Sequence, residues 1–419
     1  MWASTMIKIL FPARCSLFVL FLLALPVASP AQLIIGQYED EAPLRTWNTF
    51  GLATASSIGR GETAFALADD CSASLSNPAL LAGLPKFTLS LNGSYSRSTL
   101  SRYSIVNTGV LATEKNPAIG LFALDFGGLS FRLKGWTFAL TAVLSEIYDR
   151  PQTYAQSTFQ GTPYSAILFD QSGFLRTINV AVARSIGRRF QVGLGFNFAH
   201  GELRRKVEDK DFENGITISH QINQSYSGFY LNGGLLARVT DRLDLALVFR
   251  TSYDRKSKSR SELSYQAPIA GTDIHIEAAS DDLYHQPFAA GLGVRYELSP
   301  RFRILGDLTY FRWTGYRVEY FGENEKRDFG PAFKAAVGGE YNAPVRLFKK
   351  EAAIPLRFGI VYDRQPMRNP GSAYASFSVG TGVHWRTVGF DIGGQIGRES
   401  GSGHSLKILR IASSLGIRL

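Results

Sequence analysis

Five basic residues, Arg250, Arg295, Arg303, Lys334 and Arg357, stand at alternate positions of segments in which apolar and polar residues alternate. Glu297, Asp307, Glu340 and Asp363 share their parity. Side chains two apart on a strand point to one face, so these cations and carboxylates line one surface. Such a surface supports two kinds of chemistry. A cation beside an apolar slot holds the carboxylate of an amphiphile, whereas a cation opposite a carboxylate makes an ion-pair ladder that braces a wall. Arg250 (in "FRTSY"), Arg295 and Lys334 are the ligand-binding candidates, with Arg250 the foremost. Catalysis is not indicated. The six histidines, at 200, 220, 275, 285, 384 and 404, lack metal-ligand spacing, and there is no nucleophile-elbow pattern. We therefore expect no enzyme activity, no metal and no cofactor.

A second stretch, "ADDCSASLSNPALLAG" (Ala68–Gly83), is small, Pro-broken and non-periodic, and strict alternation starts directly after it at Phe87. The elements that position both sets follow from that alternation. About fourteen segments of membrane-crossing length, ~9–11 residues each, are legible. They begin with Phe87–Ser96, Pro117–Phe126 and Gly135–Ile147, and end with a run from Leu406 to Leu419. The greasy face is rich in Phe, Tyr, Leu and Val, and the other face carries Arg, Asp, Asn and Gly, which argues against the two-sided core of a soluble sandwich. Tight connections such as "GRR" at Gly187 and "RT" at Arg386 alternate with long ones after the third, fifth, seventh and ninth segments. The tenth connection, Asn342–Pro355, is longer than a turn needs, and the apolar Tyr164–Phe174 falls in a long loop.

The fold class expected is all-β: a transmembrane antiparallel barrel over 86–419, with a hatch in its lumen over 32–85. Residues 1–31 read as a signal peptide, because Lys8 and Arg14 precede the apolar run "CSLFVLFLLALP" and "SPA" precedes Gln32. No stretch is long and apolar enough for a spanning helix. The net charge of +10 is scattered apart from one dense cluster, "DRKSKSR" (Asp254–Arg260), which disfavours a nucleic-acid partner. Cys71 is alone after the leader, so no internal disulfide forms. The compartment expected is the bacterial outer membrane, with lipid around a monomeric barrel.

The approach "SSIGRGETAFALADDCSASLSNPALLAG" (Ser56–Gly83) resembles the amino-terminal hatch of the FadL family of outer-membrane transporters for long-chain fatty acids and other hydrophobic compounds. Asp69 and Asp70 occupy the family's Ala-Asp-Asp positions, and Asn77, Pro78 and Ala79 its Asn-Pro-Ala positions. "INVAVARSIGRRFQVGLGFNFAHGELR" and "LARVTDRLDLALVFRTSY" are similar to its central strands. The resemblance implies passive uptake of a hydrophobic molecule or fatty acid, gated by these hatch residues. Ligand would leave sideways through a gap made by a kink in the third strand, Gly135–Ile147, beside Asn77–Ala79. That strand shows no mid-strand Gly or Pro to mark a bulge. The alternative is an accessory barrel of the same kind that binds exported proteins.

Overall fold

The computed structural model describes residues 54–99, 104–107, 110–115, 119–148, 150–159, 162–325, 328–368, 371–401 and 407–419. The leader, 1–31, and the first part of the expected hatch, 32–53, lie outside them.

Alternation becomes strand from Phe87 onward. The staves are β1 (Phe87–Thr99), β2 (Ile119–Leu133), β3 (Trp136–Ile147), β4 (Thr162–Ile186), β5 (Phe190–Asp211) and β6 (Ile216–Thr240). Next come β7, in two pieces (Leu243–Arg250 and Tyr253–Ala267), and β8, likewise split (Thr272–Gln286 and Ala289–Ser299). The ring continues with β9 (Phe302–Phe311), β10 (Ala332–Leu347), β11 (Lys350–Arg368), β12 (Gly371–Trp385), β13 (Val388–Ser400) and β14 (Lys407–Arg418). Each pairs antiparallel with its successor, and β14 returns to β1 with Leu91 opposite Leu415. Among the described residues this is a closed ring of 14 strands. Closure matters because an open edge in hydrocarbon would leave a row of unpaired amides and carbonyls.

Burial is inverted relative to a water-soluble fold. On β11, Leu356, Phe358, Ile360 and Tyr362 are 50–58% exposed, while Arg357 and Asp363, at the alternate positions, are 3% and 5% exposed. The same inversion runs along β7, where Leu245, Leu247 and Phe249 face out and Asp244, Ala246 and Val248 are buried. Water would not tolerate this arrangement; lipid on the outside and polar contacts within account for it.

At one rim the turns are tight, and the residues that close them have positive φ: Lys134 (50°) with Gly135 (82°), Gly187 (62°) and Arg386 (54°). At the other rim the strands run on. β4, β5 and β6 have 25, 22 and 25 residues, more than twice what a crossing needs. The expected long loops are therefore largely ladder: Arg150–Phe159 pairs with the start of β4, and the outer pieces of β7 and β8 pair from Tyr253↔Gln286 to Ala267↔Thr272. Tyr164–Phe174 accordingly lies within β4, not in a loop. The second strand, expected at Pro117–Phe126, extends to Leu133. The tenth connection is a continued hairpin closed at Phe348 and Lys349 (φ 49° and 65°).

If the outer face is lipid-solvated, Ile360→Arg should destabilise the barrel by about 2–4 kcal/mol, read from reversible urea unfolding in phospholipid vesicles. An exposed site in water would tolerate the change within about 0.5 kcal/mol.

Candidate functional site

The described residues before β1, 54–86, form no strand. They comprise a short helix α1 (Ala55–Gly59), a second turn of helix α2 (Ala73–Ser76) and a 3-10 turn (Pro78–Gly83). Small residues allow this compaction, and Pro at the first position of the 3-10 turn needs no donor there. The segment touches inward-facing groups around the ring. Ala55 N donates to Asn92 of β1, Cys71 N to Ser90 of β1 (3.2 Å), and Ser74 meets Thr141 of β3 (3.0 Å). Ala64 N and Phe65 N both donate to the Asp307 carboxylate of β9, at 2.6 and 3.0 Å.

Charge organises the opposite side. Arg60, 1% exposed, donates to Asp69 (2.6 Å) and to Glu340 of β10 (2.7 Å). Glu340 also receives Arg303 and Arg357, and Arg357 continues to Asp391 (2.6 Å), which His384 approaches at 3.0 Å. Lys334 pairs with Glu62 of the segment. These pairs are buried, so removing one partner strands a charge in a poorly solvated interior. Of the predicted ligand-binding residues, Lys334 is thus engaged with the segment, and Arg295 is engaged with Asp244 (2.5 Å) and Glu297 (3.5 Å). Arg250 packs beside the rings of Tyr230 and Phe311, 5.9 Å from each centroid.

The predicted hatch residues divide. Asp69 belongs to the charge ladder, whereas Asp70 accepts from Ser72 N (2.8 Å) and shapes the start of α2. Asn77 donates to Phe65 O (2.6 Å) and accepts from Ala79 N (3.1 Å), tying two turns of the segment together. Asn77 rests on Gly234 of β6 and Pro78 on Gly193 of β5; a Cβ at either glycine would overlap them. Asn77 and Pro78 thus rest chiefly on β5 and β6, while the 3-10 turn that follows also packs against β3, where Ser74 meets Thr141. A row of asparagines that sequence reading missed completes the support. Asn179, Asn197 and Asn232 link across β4, β5 and β6 (2.9 and 2.8 Å), and Asn232 donates to the carbonyls of Ser74 and Leu75. Their signal was available, since Asn is depleted in strands and all three sit at inward parity.

Between β2 and β3 the wall parts. Among the described residues pairing runs from Leu133↔Trp136 to Phe126↔Val143, stops, and resumes only farther out, where Val110–Lys115 pairs with Tyr154–Phe159. Between the two, Ile119–Leu124 pairs with β1 and Leu144–Ile147 with β4. Each edge carries one extra residue at the fork, Asp125 on β2 and Ser145 on β3. A bulge bends its strand and increases local twist, so two facing bulges split the seam. The third strand is therefore bulged without Gly or Pro. Asp125 accepts from Asn92 (2.7 Å) and Ser94 (2.6 Å), while Glu146, beside the other bulge, is held by Arg255 (3.1 Å) and Tyr148 OH (2.7 Å). Arg255 sits 4.7 and 5.1 Å from the ring centroids of Tyr226 and Tyr284. Phe126 and Val143, the last paired rung, pack on Cys71 and Leu75 of the segment.

A cavity of about 1050 Å³ opens at this seam. Ala123 lines it from β2, and Leu144, Ile147 and Phe174 from β3 and β4. Its floor includes Gln224 and Ser259, which are hydrogen-bonded to each other (3.0 Å), and Gln224 also bonds Tyr284 OH (2.8 Å).

The profile of the BamG family matches residues 51–397, and the chain belongs to that family. Its fold is similar to that of a Pseudomonas aeruginosa FadL homologue, at 14% identity and a TM-score of 0.64 over 87% of this chain and 98% of that one. The Ralstonia pickettii toluene transporter TbuX aligns at 13% identity and TM-score 0.61, over 89% and 100% of the two chains. The CymD monoaromatic hydrocarbon channel gives 14% identity and TM-score 0.63, over 89% and 98%. The expected FadL-type architecture is thus the one found. Curated proteins yield no sequence match.

Replacing Glu340 by Gln should leave Arg60, Arg303 and Arg357 short of a shared counter-charge and cost about 3–5 kcal/mol, measured by denaturant unfolding. Asp70→Asn, which keeps an oxygen for Ser72 N, should cost under about 1 kcal/mol.

Proposed function

We propose that this BamG-family barrel passes hydrophobic molecules across the outer membrane, with the amino-terminal segment as a hatch and the β2–β3 seam as a sideways exit. The observation that carries this reading is the seam itself. It breaks the ladder within the apolar belt, where Phe122 and Leu124 on β2 are 67% and 71% exposed. An unpaired edge in hydrocarbon is costly, and here both edges are built with bulges and pinned by Asp125 and Glu146. The packing of Cys71 and Leu75 on the last rung ties the hatch to the fork. Behind the wall, Phe65 and Leu80 of the segment continue into a cluster with Tyr284, Phe311 and Trp313 that offers apolar footing to a tail. Among the cations Arg250, beside two aromatic rings, is the proposed partner of a fatty-acid-like head group. No energy source is needed, because apolar ligand moves down its own gradient into lipid.

A second reading, an accessory barrel for other proteins, draws on the hairpin beyond Asn342. Its rungs Ala343↔Ile354 to Leu347↔Lys350 continue past the last pairing of β10 with β9, and Phe348 at the tip is 88% exposed beside Lys349 and Lys350. On that reading Phe348→Ala releases a protein that co-purifies with the barrel and leaves uptake unchanged.

The transport reading is tested by filling the seam. Ala123→Trp should lower uptake of radiolabelled oleate into cells lacking other hydrophobic-uptake barrels by at least fivefold. Phe122→Trp, on the opposite face of the same strand, should leave it within twofold. Equal uptake by both variants, each inserted and folded, would rule out the seam as the route.

A further inference from the structure

The cavity beside the seam is also the base of a cationic surface that uptake does not use. Counting rungs upward on the outer face of β4 to β8 locates it. Ile178, Phe198 and Phe229 form one row, all exposed, with the last two rings tilted against each other at 5.2 Å between centroids. The next row contains Arg176, His200, Ser227 and Lys256, and the one above it Phe174, Glu202, Ser225, Lys258 and Asp281. Above that stand Ser172, Arg204, Asn223, Arg260 and Ala279. No register shift interrupts these rungs, so the cations face the same way as the lipid-facing row below them. Rows two residues apart rise about 6.7 Å, which sets Arg176, Lys258, Arg204 and Arg260 from about 7 to 20 Å above the apolar shelf.

All four line the cavity and are exposed. Arg204 donates to the neutral Asn223 (3.2 Å), and Arg176 lies over the Phe174 ring (4.5 Å), so neither contact neutralises a guanidinium. Glu202 and Asp281 are the acids of the same lining, and cations outnumber them. An apolar shelf at the hydrocarbon boundary surmounted by clustered Arg and Lys matches a lipid whose head carries more than one phosphate. Arg binds phosphate through paired N–H donors and Lys as a point charge, and basic clusters at a membrane boundary select anionic lipid heads.

We propose that this groove binds a phosphorylated glycolipid of the outer leaflet, with its phosphates on Arg176, Arg204, Lys258 and Arg260 and its acyl chains against Ile178, Phe198 and Phe229. The site shares its cavity with the seam, but it is carried by the cations of β4 to β7 and not by the fork, so its test does not depend on the transport reading.

The test uses the full-length barrel in dodecylmaltoside, with diphosphoryl lipid A as probe and native mass spectrometry and thermal unfolding as readouts. The expected result is a one-to-one adduct and a raised Tm, with affinity lowered at least tenfold by the combined Arg176→Gln, Arg204→Gln, Lys258→Gln and Arg260→Gln variant. A control removing rim charges, Arg188→Gln with Arg189→Gln, should bind as the parent does. A variant that no longer folds shows as loss of the heat-modifiable gel band; Arg204→Gln and Arg260→Gln singly then replace it, each expected to weaken binding severalfold. Undiminished binding by the groove variants, or equal loss in the control, would overturn the site. Protection by millimolar inorganic phosphate equal to that by lipid A would reassign it to free phosphate and overturn the lipid.

Discussion

In hydrocarbon a backbone amide has no water to turn to, so a strand wall must close its hydrogen-bond ladder on itself. The ring obeys this from β14 round to β1, and then departs from it between Phe126↔Val143 and the outer ends of β2 and β3. The departure is organised. One additional residue enters each strand at the same height, and an inward carboxylate stands at each bulge to fix the bend. The resulting edges are apolar on their outer face, which suits a passage for greasy molecules better than a defect in assembly.

The interior answers a different problem. A ring of this width cannot be filled by its own inward side chains, and charges turned inward need partners. Glu340 gathers guanidiniums from the segment and from two neighbouring staves, while Asp307 receives two backbone amides and Glu62 meets Lys334. The same side chains therefore brace the wall and anchor the strandless segment. Where that segment crosses β5 and β6, Gly193 and Gly234 let its backbone approach, and the asparagine row beneath takes up the carbonyls at the end of α2. The segment also reaches the fork, where Cys71 and Leu75 pack on its last rung.

Much of this was legible in the residues. Period-two patterning with aromatic residues on one face located the staves, since lipid imposes a sharp contrast between faces. It failed where that contrast ends: beyond the apolar belt both faces are wet, so "HGELRRKVEDKD" of β5 and Thr162–Phe174 of β4 lost their pattern while their main-chain pairing continued. Parity correctly put Arg295, Lys334 and Arg357 on the buried face, yet their partners could not be read, because Glu62–Lys334 and Arg60–Glu340 join residues hundreds of positions apart. The bulge at Ser145 was invisible for a related reason. A bulge is a mismatch between two strands, and nothing in "GWTFALTAVLSEI" alone records the count on its partner.

The central claim is that the β2–β3 seam is a standing break in the wall. Residue-resolved amide exchange of the barrel in lipid nanodiscs measures it directly. Alternate amides of 119–124 and 144–147 that face the seam should exchange orders of magnitude faster than those of 127–132, which are paired on both sides. Uniform protection along the whole of β2 and β3 would mean a sealed wall, and would contradict the account.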